Sequence, residues 1–286
     1  EGGGGGGLVW LKPAQRLCDA LEPGDQSVVL RHRFYLRDDL KSADPYTHHF
    51  MYLDSRQSVV NGTHPIDLPQ ALRFAALQMQ ITFRNYDPLV HVAGFLNICE
   101  FLPPQHREIV LIEEDVYKEH RKLKDVKEAD AKRIYIKELM RYRTFGLFFL
   151  PARERTESSQ SFDHELLIGV NCEALLCLHP QSKEVLSTAA LHTLSELAVV
   201  EGANVLQWPA AEGGGAPPRQ FQFDREGGAE LILDVVSGYT ALTRLRKADG
   251  GEAGAGERGL LGIHDDVANM SLSRLRTTTT GSIDSH

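Results

Sequence analysis

Cysteine, tryptophan and positive charge are all scarce in this 286-residue sequence. The four cysteines, Cys18, Cys99, Cys172 and Cys177, are irregularly spaced and form no C-x-x-C pair. That spacing excludes a disulfide-stapled scaffold and a cysteine-bound zinc. His48 and His49 are adjacent, and neighbouring residues on a helix point about 100° apart, too far to share one ion. No metal site is expected. No apolar run approaches the ~18 residues of a spanning helix, and Glu1 with the six glycines after it has neither the basic nor the apolar region of a signal peptide. The expected setting is therefore cytoplasmic. Lys and Arg number 31 against 39 Asp and Glu, a formal charge of −8. Only residues 105–144 are net basic, with eleven basic side chains against nine acidic, whereas residues 145–247 carry eight against thirteen. Nucleic acid needs clustered cations, so none is expected as a partner, and an anionic membrane should bind weakly or not at all. The P-loop, the G-x-G-x-x-G turn, H-E-x-x-H and G-x-S-x-G are all missing, so neither an enzyme nor a cofactor is expected.

What is present is a chain 42% hydrophobic and 24% charged, enough apolar material for a core split over two lobes. Residues 1–27 begin glycine-rich, and residues 248–286, with their glycine run and the four threonines from Thr277 to Thr280, read as a solvated tail. A helical lobe is expected over residues 28–143. It opens with a strand-like stretch at 28–36. Asp44-Pro45 then caps a helix whose face is traced by Tyr46, His49, Phe50, Leu53, Gln57 and Val60, and Asn61-Gly62 stops it. Asp67, with Pro69 and Gln70 behind it, starts a second helix through Leu72, Ala75, Ala76, Met79 and Phe83. A third is expected at about 126–143. Over residues 144–247 the apolar period drops to about 2, giving candidate strands at 145–151, 166–171, 174–179, 185–188, 191–200, 205–208 and 220–223. Ala229, Ile232, Val235, Val236, Tyr239 and Leu242 then return to helical spacing.

Seven antiparallel strands and a closing helix make a pleckstrin-homology or phosphotyrosine-binding-like sandwich, and the fold class is α+β. The edge of the fifth strand of such a sandwich lies open beside the terminal helix. An extended peptide adds there as a further strand, with main-chain hydrogen bonds for affinity and pockets for choice. The candidate contacts are Leu194, Glu196, Leu197, Ala198, Val199 and Val200 on the edge, facing Ile232, Val235, Val236 and Tyr239 on the helix. Asn61-Gly62-Thr63 fits a glycosylation sequon and is read as a turn.

Several stretches resemble a known family. Val60-Asn-Gly-Thr-His-Pro65, Phe74-Ala-Ala-Leu-Gln-Met-Gln-Ile81, Ala93-Gly-Phe-Leu96 and Glu100-Phe-Leu-Pro103 resemble the middle helical lobe of a FERM domain, particularly that of the talins. Trp10-Leu11, Ala131-Lys-Arg-Ile-Tyr-Ile-Lys137, Thr144-Phe-Gly-Leu-Phe-Phe149, Leu167-Ile-Gly169, Ser182-Lys-Glu-Val185 and Gly238-Tyr239 continue the match in order, over about residues 8–247. The resemblance implies a multi-lobe FERM fragment: an acyl-CoA-binding-protein-like helical lobe, then a phosphotyrosine-binding-like lobe. It further implies a cytoskeletal adaptor at the cell cortex, joining β-integrin-like NPxY receptor tails to actin. Where talins place an Arg-Trp pair on the recognition strand, this chain has Glu196 and Leu197. Gln70, Val90 and Val92 stand where lipid-facing lysines would be, and Arg153 and Arg155 are the basic residues left near the third lobe's first turn. These departures favour an alternative, a module that binds its own chain or another cytoskeletal partner.

Overall fold

A computed structural model describes residues 33–41, 44–155, 161–194, 197–200, 202–208 and 218–249, together with Arg16. The chain divides into two compact units, residues 31–240 and a second made of residues 1–30 and 241–286. Of the second, the structure describes Arg16 and residues 241–249, the end of a helix.

The helical part of the first unit begins with α1 (Pro45–Val60). The Asp44 carboxylate accepts from the Tyr46 and Thr47 amides, meeting donors that the first turn leaves unpaired, and Pro45 at the first position gives up no intrahelical bond. Asp67 caps α2 (Leu68–Phe83) through the Gln70 amide. Then come a single turn, α3 (Ile98–Phe101), and α4 (Ile112–Arg121) and α5 (Glu128–Leu139). Helix α2 is the axis of this lobe. Phe74, Ala75, Ala76, Leu77 and Met79 are fully buried, and α4 and α5 pack against it while α1 packs on α5. Truncating one such large side chain costs about 2–5 kcal/mol.

Three sequence expectations need correction here. The buried residues of α1 are Thr47, Met51, Tyr52, Ser55, Val59 and Val60, whereas Tyr46, Phe50 and Leu53 are exposed. This helix carries apolar side chains on both sides, and its packing on α5 decides which are covered. The expected strand at 28–36 is absent from its described part, residues 33–36, which runs without regular structure into a 3-10 turn (Arg37–Lys41); the rest lies outside the described residues. Helix α4 was not expected from the apolar spacing, although Glu113, Glu114 and Asp115 in its first turn and Lys118, His120 and Arg121 in its last follow the helix dipole.

The strands are β1 (Phe148–Arg155), β2 (Phe162–Val170), β3 (Ala174–Leu178), β4 (Val185–Ala190), β5 (Ala198–Val200), β6 (Val205–Trp208) and β7 (Arg219–Phe223), followed by α6 (Gly228–Asp249). They form an antiparallel sheet of order β4-β3-β2-β1-β7-β6-β5. Although β4 and β7 are four places apart in that order, Arg219 on β7 donates to Ser187 Oγ on β4 at 2.8 Å. The sheet therefore curves back on itself. The same guanidinium grips the Glu154 carboxylate on β1 at 2.5 and 3.0 Å and lies over the Trp208 and Phe221 rings. Helices followed by a seven-stranded antiparallel sheet and a C-terminal helix are the architecture expected from the sequence.

Candidate docking edge

Two strands end the sheet, and they differ. On β4 the register slips between Cys177 and Leu178, whose partners are Ser187 and Val185, leaving Leu186 as an extra bulged residue that is half exposed. A bulge twists an edge away from further pairing. Strand β5 pairs with β6 in regular register, Ala198 with Gln207, Val199 with Leu206 and Val200 with Val205, and no described strand takes its other side. Among the described residues, β5 is the end strand that keeps regular register and has no strand beyond it.

The expected strand at 191–200 is shorter in the structure. Leu191–Thr193 form a 3-10 turn, and Leu194 and Leu197 are buried, at 7% and 6% exposure. Leu197 is thus a core side chain. Glu196 lies outside the described residues. Ala198 and Val199 are half-buried and Val200 is exposed at 37%. On α6, Ile232, Val235, Val236 and Tyr239 are all buried, at 5% or less. The four helix residues are turned inward, Tyr239 against the Phe34 ring, and what the edge itself presents is main chain with small or branched side chains.

The basic residues of the first strand are engaged within the lobe. Arg153 pairs with Asp224, and Arg155 donates to Gln220 Oε1 at 3.1 Å. Cys172 and Cys177 are free thiols whose pKa values burial pushes up, so neither is primed as a nucleophile. Among the described residues no three His, Cys, Asp or Glu side chains are placed to hold a metal, and no helix is long and apolar enough to cross a membrane.

Sequence reasoning missed a clasp between the helical lobe and α6. Residues 33–36 lie along α6: the Tyr35 amide donates to the Tyr239 hydroxyl at 3.1 Å, the Phe34 and Tyr239 rings meet edge-on at 5.0 Å, and Arg33 pairs with Asp234. Gly238 makes room, since a Cβ there would stand 2.3 Å from the Phe34 ring. Arg37 spans from the Met140 carbonyl at the end of the helical lobe to the Glu173 carboxylate beside β3, and the Asn171 side-chain amide donates to the Arg143 carbonyl at 2.7 Å. The Gly238-Tyr239 pair was the sequence signal, but its partner two hundred residues away was not.

Residues 37–149 match the family of the FERM central domain. Talin-B of Dictyostelium discoideum is 29% identical over 285 residues, covering 94% of this chain and 10% of that protein. Mouse Talin-2 is 28% identical over 241 residues, covering 84% of this chain and 10% of its own length. The chain thus spans about a tenth of these relatives. Among solved structures, the FERM and C-terminal domain complex of Drosophila Merlin superposes with a TM-score of 0.62 at 16% identity, covering 78% of this chain and 73% of that one.

Proposed function

We propose that the chain is a talin-like FERM segment and works as a cytoskeletal adaptor whose third lobe takes up a receptor cytoplasmic tail. The tail, of the β-integrin-like NPxY type, adds as a strand along β5 and is thereby linked to the actin cytoskeleton. The observation behind this reading is the asymmetry of the two sheet edges: β4 is bulged at Leu186, while β5 keeps regular register and has no described strand on its outer side. Main-chain pairing supplies affinity without a particular side chain, which suits an edge of alanine and valine. Arg153 and Arg155, tied to Asp224 and Gln220, leave little free positive charge nearby, in keeping with weak or no attachment to anionic lipid.

NMR titration of the labelled chain with an NPxY tail peptide tests the reading. Shifts are expected at Ala198, Val199 and Val200, and Val199→Pro, which disrupts the edge, should abolish binding. Absence of shifts at β5 would refute strand addition. If a peptide of residues 250–286 binds there and competes, the occupant is the chain's own tail and the module is self-regulating.

A further inference from the structure

Residues 87–96 form a loop between α2 and α3 that carries Leu89 exposed at 88%, with Val90 and Val92 also exposed. What pins it is a buried polar and aromatic cluster centred on His91, which is itself only 4% exposed. The Asp87 amide donates to His91 Nδ1 at 2.8 Å, and the His91 amide donates back to the Asp87 carbonyl at 2.8 Å, closing the turn. From α4, the Tyr117 hydroxyl donates to the Glu113 carboxylate and lies 3.1 Å from the Val92 carbonyl, and the same carboxylate accepts from the Gly94 and Leu96 amides, each at 2.7 Å. The His91 ring stacks on Tyr86 at 5.3 Å and meets Phe95 at 5.1 Å and His120 of α4 at 5.4 Å.

These contacts determine the tautomers. A ring nitrogen that accepts from an amide carries a lone pair, so the proton of neutral His91 sits on Nε2, which is buried without a partner. His120 Nε2 faces the Arg84 carbonyl at 2.7 Å and Gln80 Oε1 at 3.1 Å, both acceptors, so its proton sits on Nε2 and the buried, unpartnered Nδ1 keeps its lone pair. One imidazole thus has an unused donor and its neighbour an unused acceptor.

We propose that His91 and His120 form a proton-operated latch that releases the loop at residues 87–96 as pH falls. Protonated His91 bears N–H on both nitrogens and cannot accept from the Asp87 amide, so charging it breaks the bond that closes the turn. A proton on His120 Nδ1 would place a second buried cation against the first ring. Burial holds both histidines below the ordinary imidazole range, His120 at about 4, while the Asp87 carboxylate opposes the effect at His91. None of the other charged groups around the cluster hydrogen-bonds either ring: Glu113 accepts from Tyr117 and the loop amides, Arg84 pairs with Glu128, and Arg121 lies over the Tyr86 ring at 4.4 Å. An opened loop charges its histidines at the ordinary pKa, near 6.5, and mild acid therefore favours opening.

The test combines long-range 1H–15N spectra of the histidine rings with amide hydrogen exchange from pH 7.5 to 5.0, corrected for intrinsic rates. Expected are the Nε2–H tautomer for both rings and, below pH 6.5, a loss of protection at residues 88–96 approaching about tenfold per pH unit for each proton taken up. Amides of Phe74 and Ala75 in α2 should keep their protection over the same range. In His91→Phe, which keeps the aromatic packing and leaves His120 in place, the loop's exchange should lose the share of its pH dependence that the His91 proton carries, so that the slope falls by about tenfold per pH unit. A proton on His91 Nδ1 at neutral pH, pH-independent loop protection in the wild-type chain, or an unchanged acid response in His91→Phe would each overturn the latch. Parallel loss of protection in α2 would also overturn it, reducing the effect to general acid unfolding. If His91→Phe does not fold, the wild-type tautomers and exchange profile decide alone.

Discussion

At the scale of single residues, the tightest demands fall where the two lobes meet. Gly238 is such a position, because the Phe34 ring occupies the space a side chain would need. Gly238→Val should push Phe34 off α6 and destabilise the chain by about 1–3 kcal/mol, the usual cost of overpacking, as read from the midpoint of urea unfolding. An unchanged midpoint would mean that residues 33–36 do not clasp the helix. Arg219 is a tightly held residue within the sheet itself. It spans β7, β1 and β4 through Glu154 and Ser187, and its pKa is raised chiefly by the bonded carboxylate. Arg219→Met keeps the stem packed on Trp208 and Phe221 but strands Glu154, which is largely buried, so a loss of about 2 kcal/mol or more is expected from the same measurement.

At the scale of elements, local signals and tertiary contacts can be separated. The α2 cap was legible, since Asp67 followed by Pro69 and Gln70 announces a helix start, and the carboxylate does accept from the Gln70 amide at 3.0 Å. Asp67→Ala should cost about 1 kcal/mol in thermal or urea unfolding. The seven strands were legible from their alternation and turn residues, with one informative exception. Residues 191–197 carry leucine at every third position and run into the apolar strand that follows, yet Leu191–Thr193 form a 3-10 turn, while Leu194 and Leu197 are buried. Apolar content alone does not distinguish a strand from a loop whose leucines are swallowed by the core. The same limit applies to α6: its apolar stripe fits one wall of a groove as well as it fits core packing, and in the structure Ile232, Val235, Val236 and Tyr239 are all buried.

At the scale of the whole molecule, stability should depend on pH through buried neutral histidines. His64, which shares a 2.8 Å hydrogen bond with Thr144 Oγ1, is pushed down to about 4 by burial. A folded pKa below the unfolded value of about 6.5 means that the contribution is fully present above pH 6.5 and is lost as pH falls toward 4. By linkage it amounts to about 3 kcal/mol. Urea unfolding at pH 7.5 and 4.5 should show that loss, and His64→Gln, which keeps a hydrogen-bonding side chain, should show a smaller one. Equal pH dependence in the variant would place the acid sensitivity elsewhere.

Helix starts, strand alternation, the break between a helical and a strand-rich half, and the likeness to FERM proteins were all set by the sequence, because capping, periodicity and turn chemistry act between residues a few places apart. Which side of α1 is covered, which sheet edge is bulged, the grip of residues 33–36 on α6 and the meeting of His91 with His120 were decided only by the tertiary structure. Each of these depends on groups from separate helices, strands or loops, and a one-dimensional pattern carries no record of which partner will arrive.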